Sequence, residues 1–505
     1  MKKSKKQQGK KQPLLIRTAS HNLFFWGVVF LFVINALWIA LSAVYPMMFD
    51  EEFHLGIIEV YSHQLSPLIT SQSAETVFHG DLTRSTSYLF HWLMSFPYRF
   101  IALFSSDLAA QVIFLRIINI GFVVMSLWLF RKTLLLGGFS KALSNVSIFF
   151  FALIPLVPFT AAQINYDNLI MIFTAGIFYA ALKSIEKFSN QASWATGVII
   201  IGLLGSLIKF TFLPVFVAST LFVTFCLWKQ HKKRIFKELF KQYKNLAKPA
   251  AILLTTIAII SAGLFIERYG GNIVNYRSLE PRCDRIHSEE LCSQYNIWKR
   301  NTEWTKNYSK KQWPLWNPVE YTANRWVPHI FNDLFRAGAY TGGEIALRKP
   351  LGRLEYTPGT LALRVAGWSV FISSIALTII FWRKLKLKKV RYLFLASIGL
   401  YAAALWVKNY SDYTTYGYPV ATQGRYFIPF LIPLIAMAGY AFSIAIKKRY
   451  IKEVLLVIAL LLFTQGAGAT TYILYSNKNW YWPNQAVQNI NQNAQRILSI
   501  FIYRS

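Results

Sequence analysis

Apolar residues in this chain gather in long unbroken runs, without the stripes of an amphipathic helix or the alternation of a half-buried strand. The first run covers about 24–44, and others follow at about 110–130, 143–162, 168–183, 194–208, 211–228, 249–267, 361–382, 392–407, 426–446 and 454–475. Most of these are long enough for an α-helix to cross the hydrocarbon core of a bilayer. The pattern therefore predicts an all-α fold, a polytopic membrane helical bundle of about eleven transmembrane helices. Near 194–228 the run is interrupted by Gly205, Lys209 and Pro214, which fits either two short helices or one hairpin.

Between the runs, three polar stretches are long enough to hold a site: about 46–109, 268–360 and 408–425. Within the first, Tyr88 to Phe104 is apolar but broken by His91, Pro97 and Arg99, and reads as a helix lying in the membrane interface. The chain thus divides into a basic tail (1–23), a transmembrane domain with its loops (24–475) and a C-terminal segment (476–505). No internal repeat is present. Gly466-Ala467-Gly468-Ala469 lies inside an apolar run with no strand before it, so it fits close helix packing better than nucleotide binding.

Charge then orients the bundle. The formal net charge is +32, yet the basic residues sit in short loops between apolar runs, which is the positive-inside pattern and argues against nucleic acid as a partner. The basic loops are Arg131-Lys132 with Lys141, Lys183 with Lys187, Lys229 to Lys248, Arg383 to Arg391, and Lys447 to Lys452. Each falls on the inner side if the tail from Lys2 to Arg17 is cytoplasmic, and the carboxyl terminus then lies outside. The first run is too long for a signal-peptide core and is expected to stay as a helix.

Three cysteines cannot build a disulfide scaffold. Cys226 falls in an apolar run, whereas Cys283 and Cys292 share the second outer stretch, where the sequence allows a small disulfide loop without deciding it. Cys283, His287 and Cys292 lack a fourth ligand and the usual spacing of a zinc site. Trp298, Trp304, Trp313, Trp316 and Trp326 crowd the same stretch, and suit either sugar stacking or a bilayer interface.

The feature hardest to explain by packing is Asp50-Glu51-Glu52-Phe53-His54, directly after the first span and opposite the basic tail. Asp167 follows in a short outer turn, Asn165-Tyr166-Asp167-Asn168. Arg116, Lys209 and Arg425 are cations at predicted outer helix ends, against the usual preference for basic residues inside. Each has a plainer reading: Asp50 or Asp167 as a helix cap, Lys209 snorkelling to headgroups, Arg425 as an interfacial anchor. On an outer face, where nucleotide-activated donors are generally absent, a lipid phosphate can carry the group to be transferred. Such chemistry needs a carboxylate to take a proton from an acceptor hydroxyl and cations for the departing phosphate.

In the order of these motifs the chain resembles the GT-C superfamily of polytopic glycosyltransferases. It looks like a bacterial branch with an early D-E-x-x-H, here Asp50 to His54, an Asn-x-Asp turn, here Asn165-Tyr166-Asp167, and a late Q-G-R-Y, here Gln423-Gly424-Arg425-Tyr426. The usual proline pair before the acidic motif is missing, since Pro46 is followed by Met47-Met48-Phe49. The resemblance implies transfer of a sugar from a polyprenyl-phosphate donor to a glycan, lipid or protein acceptor of the cell envelope, on the extracytoplasmic face and with inversion. Asp50 takes the place of the catalytic base, with Glu51, His54 and Asp167 as the other catalytic candidates. Arg116, Lys209, Gln423, Arg425 and Tyr426 are the candidates for binding substrate and phosphate. A monophosphate donor can leave with protein cations alone, so no cofactor is required, although a divalent cation is compatible with the acids. The rival expectation is a transporter or flippase of lipid-linked precursors, a class that tends to place ionisable residues at the bilayer midplane and to show repeated halves.

Overall fold

A computed structural model describes residues 14–186, 190–308, 315–336, 358–385, 387–466, 471–474, 476, 480–482 and 484–502. Lys187, Trp313 and Ala467 to Ala469, named above, lie outside these residues, as does the tail before residue 14.

Without a proline to break it, the first apolar run folds as one helix, α1 (Asn22–Ser42). After it come α2 (Glu51–Ser62), α3 (Leu89–Ala102), α4 (Leu108–Leu136), α5 (Lys141–Ala152), α6 (Leu156–Ala161), α7 (Tyr166–Ser184), α8 (Gln191–Ile208), α9 (Leu213–His231), α10 (Lys248–Phe265), α11 (Lys388–Tyr416) and α12 (Ile428–Ala445). Among the described residues there is no β-strand, only a single bridge between Ala43 and Tyr481.

Eight helical segments of the described residues are long and apolar enough to cross a membrane: Asn22–Ser42, Leu108–Leu136, Gln191–Ile208, Phe210–Lys244, Lys248–Tyr276, Leu361–Ile380, Lys389–Tyr416 and Gly424–Ala445. The protein is accordingly a helical membrane protein. The run expected at 143–162 is divided at Leu153-Ile154-Pro155 into α5 and α6, since proline lacks the N–H an uninterrupted helix needs. The interruption around Lys209 separates two helices, α8 and α9, that pack on each other.

At the centre, α4 packs along α7, and α7 along α8; α1 and α5 close one side, α9 and α11 the other. Phe130 and Leu134 of α4 and Phe178 of α7 are wholly buried there. By contrast α10 turns Ile252, Leu253, Ile259 and Ile260 outward, as a lipid-facing helix does.

The bundle has two chemically different ends. At one, Arg131 donates to Asn145 Oδ1 (2.8 Å) and Asn22 Oδ1 (2.5 Å), and Asn145 holds the carbonyl of Ala19 at the end of a short helix, Leu14–Ala19, ahead of α1. At the other lie the start of α2, the start of α7, the end of α8 and the turn leading into α12, which carry Asp50, Asp167, Lys209 and Arg425. The C-terminal segment joins this second end, where Val44 donates to the Trp480 carbonyl at 2.6 Å and Trp480 Nε1 to Ser42 Oγ at 2.9 Å.

The stretch Tyr88 to Phe104 contains a helix, α3. It buries His91, Met94 and Ser95 against α2 while Phe96, Phe100, Leu103 and Phe104, the last two just past its end, stay exposed. Arg99 ties the pair together by donating to the Tyr61 and Gln64 carbonyls at the end of α2.

Candidate active site

The turn between α1 and α2 determines where the acidic motif points. Phe49 and Asp50 both adopt left-handed backbone conformations (φ 65° and 70°), which cost a non-glycine residue roughly 1–2 kcal/mol each. The turn aims the Phe49 carbonyl at two donors, Arg425 Nη1 at 2.9 Å and Asn165 Nδ2 at 3.1 Å. Asp50 stands at the N-cap position of α2, yet its side chain caps nothing. Instead its Oδ2 accepts from Arg425 Nη2 at 2.8 Å, and its Oδ1 accepts no hydrogen bond among the described residues. The Asp50 side chain is 48% exposed, whereas that of Arg425 is 2% exposed.

A second ion pair lies behind the first. Lys209 Nζ bonds to Asp167 Oδ1, and Asp167 Oδ2 stands 3.9 Å from Arg425 Nε. Asp167 does not cap its helix, because Asn165 Oδ1 already takes the Asp167 N–H at 2.9 Å. The order Asp50, Arg425, Asp167, Lys209 is thus an alternating row of charges with only its first member open to solvent. Lys209 sits between two spans, its Nζ 4.6 Å from the Tyr166 ring and 4.5 Å from the Tyr426 ring. Burial pushes its ammonium pKa down to about 8, while Asp167 works in the opposite direction.

The Q-G-R-Y stretch is built to present Arg425. Gln423 Oε1 accepts from Arg425 Nε at 2.6 Å, and the Gly424 N–H donates to the buried Asp333 carboxylate at 2.8 Å. A Cβ at position 424 would come within 2.8 Å of the Ile330 carbonyl, so this approach requires glycine.

Asp50 opens onto a cavity of about 360 Å³ walled by one face of α2 (Phe53, His54, Ile57, Tyr61), by Tyr88 and Tyr166, and by Tyr295 and Trp298 from the second long loop. The His54 imidazole lines this cavity but does not bond to the Asp50 carboxylate. Its Nδ1 meets His91 Nε2 at 2.9 Å, and its Nε2 has no partner among the described residues. Burial holds both imidazoles well below the ordinary histidine range, His91 at about 3, so the pair is neutral at ordinary pH.

Two expected site residues are brought together elsewhere. Glu51, one helical position after Asp50, points into the bundle and pairs with Arg116 through Oε1 (2.8 Å) and Oε2 (2.7 Å). Both side chains are completely buried, and neither lines the cavity. Glu51 also accepts from the Met47 and Ile164 N–H groups, while Arg116 donates to the Ala40 and Ala43 carbonyls. This pair pins the end of α1, the acidic turn and the start of α7 to one another.

In the second loop Cys283 and Cys292 form a disulfide, and His287 bonds to Asp81 at 3.0 Å. The three residues weighed as zinc ligands are therefore otherwise engaged, and the described residues contain no group of three or more His, Cys, Asp or Glu side chains arranged to hold a metal ion. Of the described tryptophans only Trp298 lines the cavity; Trp304 packs on Tyr418, Trp316 on Tyr413, and Trp326 donates to Asn409. Comparison with known protein families, with curated proteins and with solved structures finds no match to this chain.

Proposed function

We propose that this protein is a membrane glycosyltransferase of GT-C type that moves a sugar from a polyprenyl-phosphate donor to a cell-envelope acceptor. In this reading the bundle has about eleven spans, the end bearing Arg131 faces the cytoplasm, and the cavity opens on the extracytoplasmic side. The observation that carries it is the state of Asp50: one carboxylate oxygen fixed by Arg425, the other unbonded at the wall of a cavity rich in aromatic rings. A general base needs that combination of fixed direction and a free lone pair. The acceptor hydroxyl loses its proton to Asp50 Oδ1 as its oxygen bonds to the anomeric carbon, and the bond to the lipid phosphate breaks on the opposite side of that carbon.

Arg425 bonds to Asp50 directly and Lys209 stands behind it in the charge row, and both already hold carboxylates. Their part is to fix Asp50 and Asp167 and to set a positive field behind the reacting centre. A unit charge pair at about 4 Å is worth roughly 4 kcal/mol at an effective dielectric of 20. Glu51 and Arg116 hold the acidic turn in shape and take no part in the chemistry.

The test is reconstitution of purified protein in vesicles with radiolabelled polyprenyl-phosphate sugars and an envelope extract as acceptor. Label appearing in a covalent product supports the proposal. Label crossing the bilayer with the donor unchanged would overturn it in favour of a flippase.

A further inference from the structure

Beyond the charge row at Asp50, a second guanidinium stands at this end of the bundle without a full set of partners. Arg268, just past α10, is completely removed from solvent. It donates through Nη1 to the Thr83 carbonyl, and it lies over the Tyr88 ring, 4.8 Å from the centroid. Its Nη2 has no hydrogen-bond partner among the described residues. The nearest carboxylate, Glu267, serves two guanidiniums: Oε1 accepts from Arg84 at 2.9 Å, while Oε2 lies 3.3 Å from Arg268 Nε without hydrogen-bond geometry. Asp81 is occupied by the Thr83 hydroxyl and N–H, the Arg84 N–H and His287.

Two tyrosine hydroxyls, Tyr61 Oη and Tyr88 Oη, are also buried without partners among the described residues, and both residues line the cavity onto which Asp50 opens. Leaving a buried donor unmet is unfavourable, and more so for a charged one. Tyr61 and Tyr88 line this wall and Arg268 stands behind it over the Tyr88 ring, so these unmet donors together call for an acceptor from outside the chain. Phe53, His54, Ile57 and Tyr61 share one face of α2, so from Phe53 to Tyr61 the cavity runs about 12 Å along the helix. Asp50 stands at the start of that path and Tyr61 at its far end.

We infer that Arg268, Tyr61 and Tyr88 form an oxyanion-binding subsite at the far end of the cavity, and that the molecule accepted there is extended and carries a phosphate or carboxylate group. The inference rests on the transferase reading only in calling that molecule the acceptor; the subsite itself stands on its unmet donors.

The experiment is ligand binding to the purified full-length protein in nanodiscs, followed by tryptophan fluorescence, since Trp298 lines the cavity. The probes are hexose 6-phosphate, hexuronic acid, the uncharged hexose and inorganic phosphate, in phosphatidylcholine discs with or without phosphatidylglycerol. Binding of an acidic probe at least ten times tighter than the neutral hexose, weakened tenfold or more in Tyr61→Phe/Tyr88→Phe and in Arg268→Gln but kept in Asp50→Asn, supports the subsite. Competition by phosphatidylglycerol alone would identify a lipid headgroup as the source of the oxyanion. Equal binding of charged and neutral probes, no binding of any probe, or binding indifferent to the tyrosine pair would overturn it. The tyrosine variant keeps the test decisive if Arg268→Gln fails to fold, and retention in Asp50→Asn separates this outcome from any failure of transfer.

Discussion

Arg425 and Asp50, 375 residues apart in the chain, meet at 2.8 Å, with the arginine sealed in the protein and the aspartate half open to the cavity. The same guanidinium donates to Phe49 O and Gln423 Oε1, so one side chain fixes both the acidic turn and its carboxylate. Lysine, a point charge without the planar fork, cannot make these three bonds together. Arg425→Lys should therefore lower kcat for sugar transfer by about 100-fold, the scale seen when one preorganised donor is lost. Steady-state kinetics with a polyprenyl-phosphate donor check this, and near-normal kcat would contradict it.

Glu51 and Arg116 should behave as structure. Removing one member of a wholly buried pair strands the other charge, at a cost of about 3–5 kcal/mol. Glu51→Ala and Arg116→Ala should each lower the thermal unfolding midpoint sharply in detergent, and Glu51→Leu/Arg116→Met should recover much of that loss. Single variants with normal unfolding but no transfer would place the pair in the chemistry instead.

Lys209 gives the site a basic limb. Its native pKa of about 8 lies below the ordinary lysine value of 10.5. Raising the pH through about 8 removes the ammonium that holds Asp167, so transfer should decline there, and Lys209→Arg should move the decline to higher pH. Stability should run the other way. Between about 8 and 10.5 the unfolded chain binds more protons at this group than the native one, so its contribution to stability rises with pH across that window. A pH–rate profile and a pH series of unfolding midpoints measure the two trends separately.

Asp50, Asp167, Lys209 and Arg425 were legible in the sequence because each is a charge at a helix end where apolar or uncharged residues are the rule. Their order along the chain was enough to suggest one site. Which side of the turn each acid faces was not legible. The left-handed pair Phe49 and Asp50 sends adjacent carboxylates in different directions, and no composition signal marks such a turn when its residues are not glycine. Arg116 fitted the same inverted-charge pattern as Arg425, yet its partner is Glu51, a contact across 65 residues that only packing reveals. Arg268 escaped notice because it directly follows an apolar run, where one basic residue resembles an ordinary span terminus. The sign that could have found it is Glu267 beside it, a second charge at the same helix end. The division of 143–162 was foreshadowed by Pro155 and Pro158, although hydropathy alone carried the run through them.

The measurement that bears most directly on the site is single-turnover transfer by Asp50→Asn, with donor binding followed in the same sample. Asparagine keeps the size of the side chain and an acceptor for Arg425, but it cannot take up the proton at the free oxygen. The proposed mechanism predicts donor affinity within about threefold of wild type and a transfer rate reduced by about 10²–10⁴, the range that general base catalysis supplies. Transfer at the wild-type rate with bound donor would contradict it.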